Sequence, residues 1–277
     1  MKTFIAKKDG LAIYLLGEGA PVLLFPYPHA STLRPMAEDK LAAFLVSLGY
    51  QVITFDPPGA YASDRPMSGN MAEMLDCAVE ALDVMQIDPP VTVVGHSMGG
   101  LCALAIERPE LVERLALIGA CSGFPAVMRW STPHNWSPLR DVEWWQCSWL
   151  GFRQMIGRSN LAVHKRLDNL VEKASFVGQQ HVELWTIEAN DHHLPTPPRT
   201  RWLRTVREVN YRQRLDQVLA QTLVCVGRYD PQTPIPCSKE LADGIPNARF
   251  VIFEHSGHSP FIEETERLSQ ELHSFLQ

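Results

Sequence analysis

Six short apolar runs constrain this chain more than any other feature: PVLLF (21–25), QVITFD (51–56), VTVVG (91–95), RLALIGA (114–120), TLVCVG (222–227) and RFVIF (249–253). Each is too short for a buried helix and apolar on consecutive residues, the signature of a strand covered on both faces. Helical stretches separate them. Leu33 to Leu48 is amphipathic and stopped by Gly49. Met71 to Met85 ends before Pro89 and Pro90, and Met98 to Glu107 ends before Pro109. After TLVCVG come a helix near Ser238 to Asp243, the strand RFVIF and a last helix from Glu263 to Leu276. Strands alternating with helices predict an α/β fold with a mostly parallel central sheet and helices on both faces.

The alternation stops between Ser122 and Asp216, where strand signals nearly vanish and all seven tryptophans fall. The expected organisation is therefore a core of 1–121 and 217–277 carrying an inserted helical cap, 122–216. The first twenty residues have a basic start and a short apolar stretch, but Asp9 separates the two. They read as two strands of a hairpin rather than a leader.

The net charge of −6 comes with no basic stripe, which argues against a nucleic-acid partner, and no apolar segment is long enough to span a bilayer. Six cysteines, at 77, 102, 121, 147, 225 and 237, form no CxxC pair. Several lie inside apolar runs. They read as buried free thiols in a reducing compartment, so the expected location is cytoplasmic.

One strand runs into chemistry. In VTVVGHSMGG, Ser97 sits in a glycine-flanked turn between a strand and a helix. Such a turn lifts a hydroxyl to the carboxyl end of the sheet, near the positive end of the next helix. A glycine-rich turn with no catalytic role is the competing reading.

This context resembles the α/β-hydrolase superfamily, in which the nucleophile, acid and base follow in that order. The resemblance implies an acid after a late strand and a base in the loop before the last helix. Asp230 in TLVCVGRYDPQTP and His258 in RFVIFEHSGHSPFIEE occupy those places. His258 would take the Ser97 proton and return it to the leaving group, while Asp230 would hold the imidazole tautomer and stabilise its cation. Asp230 has the alternative of merely opening the turn before Pro231, and His255 competes with His258 as base. His96 reads as structural.

The resemblance also implies an oxyanion hole. The backbone N–H of Met98 is one donor. Aligning Pro28 of VLLFPYPHAS with the family's His-Gly-x-Pro stretch makes the backbone N–H of Tyr27 the other, although the usual His and Gly are missing. A shift of one residue would place a proline, which has no N–H, at that position. His29 is a candidate for substrate contact, with packing under the cap as its alternative.

In the cap, EWWQCSWLGF reads as a helix burying its face on the core, ahead of a substrate cage. Arg199, Arg201, Arg204 and Arg207 read as a solvated face. Asp191-His192-His193 reads as a polar loop rather than a metal site, since no third ligand is apparent.

The expected activity is a serine hydrolase acting on carboxylic esters of small molecules through an acyl-enzyme on Ser97, with no cofactor or metal. Two alternatives stand beside it. One is an aminopeptidase similar to proline iminopeptidases, with Glu172, Glu183 and Glu188 as candidates for the substrate amine, although that family's His-Gly-Gly-Pro-Gly is absent. Another is a non-catalytic small-molecule binding protein on the same scaffold. Carbon–carbon bond hydrolysis and peracid formation run on the same triad. Oligomeric state is not legible.

Overall fold

A computed structural model describes residues 3–26, 35–66, 70–97, 103–131, 135, 141–156, 158, 161–178 and 209–276. The chain opens on a hairpin of β1 (Thr3–Lys8) and β2 (Leu11–Leu16), joined by the two-residue Asp9-Gly10 turn. The apolar runs then form β3 (Ala20–Phe25), β4 (Tyr50–Phe55), β5 (Val91–His96), β6 (Val112–Ile118), β7 (Gln221–Gly227) and β8 (Ala248–Phe253). The eight strands make one sheet in the order β1-β2-β4-β3-β5-β6-β7-β8. Only β2 breaks the common direction, pairing antiparallel with β1 and β4; the other neighbours are parallel.

Both faces of the sheet are apolar, and each has its own helices. On one side Leu23, Phe25, Ile53, Phe55 and Val93 meet α2 (Met71–Val84), α3 (Ala103–Glu107) and α7 (Ile235–Gly244). On the other, Val22, Leu24, Val52, Val94 and Phe253 meet α1 (Lys40–Ser47) and α9 (Thr265–Leu276). Alternate residues of one strand thus feed opposite cores, which is why these runs are continuously hydrophobic. Each fully buried Leu or Phe contributes about 1.5–3 kcal/mol.

Helix boundaries depart from the sequence expectation where a side chain caps the backbone. The stretch read as one helix from Leu33 begins only at Lys40. Residues Met36–Glu38 form a separate 3₁₀ turn, and the Asp39 carboxylate accepts from the N–H groups of Leu41 and Ala42 at 2.9 and 3.0 Å. The last helix, expected from Glu263, starts at Thr265 as α9, and a separate short helix, α8 (Pro260–Glu263), precedes it because Glu264 leaves helical geometry between them.

Strands β6 and β7 are sheet neighbours, although β6 ends at Ile118 and β7 starts at Gln221. The described residues between them form α4 (Phe124–Trp130), α5 (Asp141–Met155) and α6 (Leu161–Ser175). Helix α5 does not bury its aromatic face on the core, as its sequence suggests. Trp144, Cys147 and Leu150 pack against Leu170 and Ala174 of α6, while Trp145 and Trp149 remain 68% and 59% exposed. Burial here follows the spacing 144, 147, 150, and the other two tryptophans lie off that stripe. The arginines and histidines singled out between 191 and 207 lie outside the described residues. Among the described residues, no helix is long and apolar enough to cross a membrane, and no cluster of potential metal ligands forms.

Candidate active site

Register brings distant parts of the chain to one place. His96 at the end of β5 aligns with Ile118 of β6, Ile118 with Cys225 of β7, and Gly227 at the end of β7 with Phe253 of β8. The loops that follow therefore leave one edge of the sheet side by side. Winding direction also reverses between the adjacent strands β3 and β5, the position where open α/β sheets leave a crevice.

Ser97 follows β5 directly. It is buried and holds a φ of 54°. For a residue with a Cβ, that left-handed conformation costs about 1–3 kcal/mol, so the surrounding strand must impose it. Ser97 thus stands in a left-handed conformation at the carboxyl end of β5.

Asp230 and His258 meet at the same edge. His258 Nδ1 lies 2.7 Å from Asp230 Oδ2, and both side chains are buried. A carboxylate only accepts, so this contact places the proton on Nδ1 and leaves Nε2 as the basic nitrogen. The remaining capacity of Asp230 is also filled. Its Oδ1 accepts from the N–H groups of Gln232 and Thr233, both at 2.9 Å, and its Oδ2 lies 2.9 Å from the Thr233 hydroxyl. That hydroxyl also donates to the Gly119 carbonyl at 2.6 Å. The Asp230 turn suggested by Pro231 exists, and it aims the carboxylate at the imidazole. His255 is exposed, and its backbone N–H goes to Glu264 instead.

His96 supports the pair from below. Its Nε2 donates to the His258 carbonyl at 2.8 Å, and its ring packs 4.5 Å from the His258 ring and 5.1 Å from Phe261. Burial, followed by the neighbouring His258, pushes the His96 imidazole well below its ordinary range, so it is neutral at pH 7. Cys121, two residues past Gly119, is no rival nucleophile: burial pushes its thiol up to about 12. Five cysteines are free thiols, four buried and Cys147 half-buried; Cys102 lies outside the described residues.

Gly119 was not singled out from the sequence. Its φ is +51°, and a Cβ there would lie 3.1 Å from both Asp230 Oδ2 and His258 Nδ1. In sequence it is only the next-to-last residue of the RLALIGA run. Tyr27, Met98 and His29 lie outside the described residues, and of the three glutamates considered for an amine site only Glu172 lies within them.

Comparison with known proteins is consistent with this architecture. Residues 34–265 match the family model described as the alpha/beta hydrolase fold. This chain belongs to the α/β-hydrolase fold family. A 2-hydroxymuconate semialdehyde hydrolase from Pseudomonas putida is 30% identical over 94% of this chain and 88% of its own length. A pimeloyl-[acyl-carrier protein] methyl ester esterase from Nitrosomonas europaea is 28% identical over 69% of this chain and 76% of its own. Among solved structures, an α/β-fold family hydrolase from Bacillus anthracis superposes with a TM-score of 0.79 at 22% identity, covering 99% of both chains. At that identity the superposition speaks for the α/β-hydrolase fold, while the family match and the curated relatives make the chain a hydrolase.

Proposed function

We propose that the chain is a serine hydrolase of small molecules that cleaves carboxylic esters through an acyl-enzyme on Ser97. The supporting observation is the 2.7 Å Asp230–His258 contact, made at the sheet edge where Ser97 is held at a positive φ. In this reading, Ser97 Oγ attacks the ester carbonyl as its proton passes to His258 Nε2. Asp230 stabilises the imidazolium. Collapse of the tetrahedral adduct breaks the carbon–oxygen bond, and the alcohol leaves with the proton from His258. Water, deprotonated by the same nitrogen, then attacks the acyl-serine, releasing the acid and restoring Ser97. Backbone N–H groups of Tyr27 and Met98 are the proposed donors to the oxyanion. Residues 122–216 are the proposed cap over a core of 1–121 and 217–277, with His29 facing the substrate. The free thiols fit a cytoplasmic setting. No step calls on a cofactor or metal.

The methyl ester esterase among the relatives favours this reading. The Pseudomonas relative favours a second one, in which the same residues cleave a carbon–carbon bond beside a carbonyl. Kinetics separate them. Ser97→Ala should lower p-nitrophenyl ester turnover by on the order of a thousandfold or more. Unchanged turnover would end the Ser97 mechanism. Consumption of 2-hydroxymuconate semialdehyde, followed by its absorbance, at a kcat/KM well above that of every ester in an acyl series would replace the ester reading with the second.

A further inference from the structure

One carboxylate ties the exit of α6 to the loop of His258. Glu263, the last residue of α8, accepts through Oε1 from the N–H groups of Val177 and Gly178 at 2.7 and 3.3 Å. Through Oε2 it accepts from the N–H of Gly257 at 2.6 Å. Charge-assisted bonds of this kind are stronger than neutral ones. The same junction is closed from the other direction. The His258 N–H donates to the Ser175 carbonyl at 2.8 Å, and the Gln232 amide donates to the Ser175 hydroxyl at 2.9 Å. The backbones approach so closely that a Cβ at Gly257 would fall 2.0 Å from the Ser175 oxygen.

The neighbouring carboxylate provides a contrast. Glu264 accepts from the His255 N–H at 2.9 Å and the Ser256 hydroxyl at 2.7 Å, and it pairs with Arg267 at 3.3 Å. Those partners all belong to the base loop or to α9. Two consecutive glutamates thus brace one turn, and Glu263 extends the brace to the helical insertion.

We propose that Glu263 is a positioning residue: its carboxylate makes the placement of His258 depend on how the exit of α6, residues 175–178, is seated. The proposal rests on His258 acting as the base for Ser97. Insertion and base loop then move as one unit. A substrate that shifts the insertion shifts the competence of the histidine with it.

Fluorophosphonate labelling of Ser97 reads that competence directly, since the serine oxygen displaces fluoride from phosphorus only when its proton is accepted. Glu263→Gln keeps the side chain's length but turns one acceptor into an NH₂ facing an N–H, so only one side of the brace can hold. Labelling should slow about tenfold to a hundredfold, the scale of an ångström of misplacement at a reacting group, with kcat for a small ester falling and KM nearly constant. Val177→Pro removes one donor on the α6 side, at a residue that is 48% exposed. Combined with Glu263→Gln it should add little further loss, whereas with Glu264→Gln the losses should multiply. Wild-type labelling in Glu263→Gln, or multiplied losses in both pairs, overturns the proposal. If Glu263→Gln does not fold, Val177→Pro alone decides, and a wild-type rate there overturns it. Labelling of the wild-type chain that persists in His258→Ala would instead sink the catalytic reading beneath it.

Discussion

Two aspartates follow strands on the same edge of this sheet, both are buried, and the side chains around them differ. Asp56 follows β4 and accepts from the Tyr14 hydroxyl at 2.7 Å, the Met36 N–H at 2.8 Å and the Ala62 N–H at 3.1 Å. Asp230 follows β7 and accepts from two backbone N–H groups, lies 2.9 Å from the Thr233 hydroxyl, and has an imidazole as the last partner. Burial, followed by the Asp56 charge, pushes the Tyr14 phenol far above neutral pH, so that pair exchanges no proton under ordinary conditions. An imidazole is the side chain whose charge changes nearest neutrality. Equivalent hydrogen-bond satisfaction therefore builds a structural post at one strand end and a candidate acid–base pair at the other. The partner decides which.

The comparison breaks first at Asp230→Asn. An amide there can present an N–H to His258 and favour the wrong tautomer, and the proposed mechanism predicts a fall in kcat of about 10⁴-fold with the thermal transition still cooperative. Ester kinetics beside a melting curve check it. A loss smaller than tenfold would place Asp230 with Asp56 as a structural carboxylate. Gly119→Ala sharpens the same point without touching a polar group. The new methyl would lie 3.1 Å from both members of the pair, at a φ of +51°. Displacement of either by part of an ångström predicts about a tenfold to hundredfold loss in kcat/KM, measured on the same ester.

Asp230 and His258 were legible because each lies in a local pattern, a strand running into a loop, whose order along the chain matches a family arrangement. Gly119, Thr233 and Glu263 were not, and the reason is physical. Nothing near Gly119 in sequence demands a glycine; the demand comes from Asp230 and His258, which only the β6-β7-β8 register brings alongside. Glu263 reads locally as a helix-end charge, and its partners lie across the fold at Val177 and Gly178. The sheet was legible almost residue by residue, since continuous apolar runs encode burial on both faces. Helix ends were less so, because an Asp39 side-chain cap or a non-helical Glu264 backbone can interrupt a helix inside an unbroken periodic stretch. The face of α5 misled for a related reason: tryptophan content marks a helix as interactive, and only the spacing of its contacts with α6 selects Trp144 over Trp145 and Trp149.

The smallest effect on rate, and the one that isolates the structural member of the comparison, belongs to Asp56→Asn. The amide can still accept from Tyr14 but sets an NH₂ against one backbone N–H, a buried mismatch of about 1–3 kcal/mol. Ester kcat should stay within about fivefold, because this pair exchanges no proton and a loss of packing precision alone is a small term. The pH dependence carries the sharper signature. Burial raises the folded pKa of Asp56 above the ordinary 3.8, an effect that outweighs the opposing hydrogen bonds from Met36, Tyr14 and Ala62. Between 3.8 and that higher folded value, the folded chain holds a proton that the unfolded chain has released. The stabilisation from protonated Asp56 is therefore fully present below 3.8 and lost as pH rises through the folded value. Asparagine has no such proton. The stability gap between the wild-type chain and Asp56→Asn, measured by urea unfolding at a series of pH values, should widen as pH falls from neutrality toward 4. A gap that narrows over that range would mean that the hydrogen bonds to the carboxylate outweigh its burial, and that Asp56 is held as a charge.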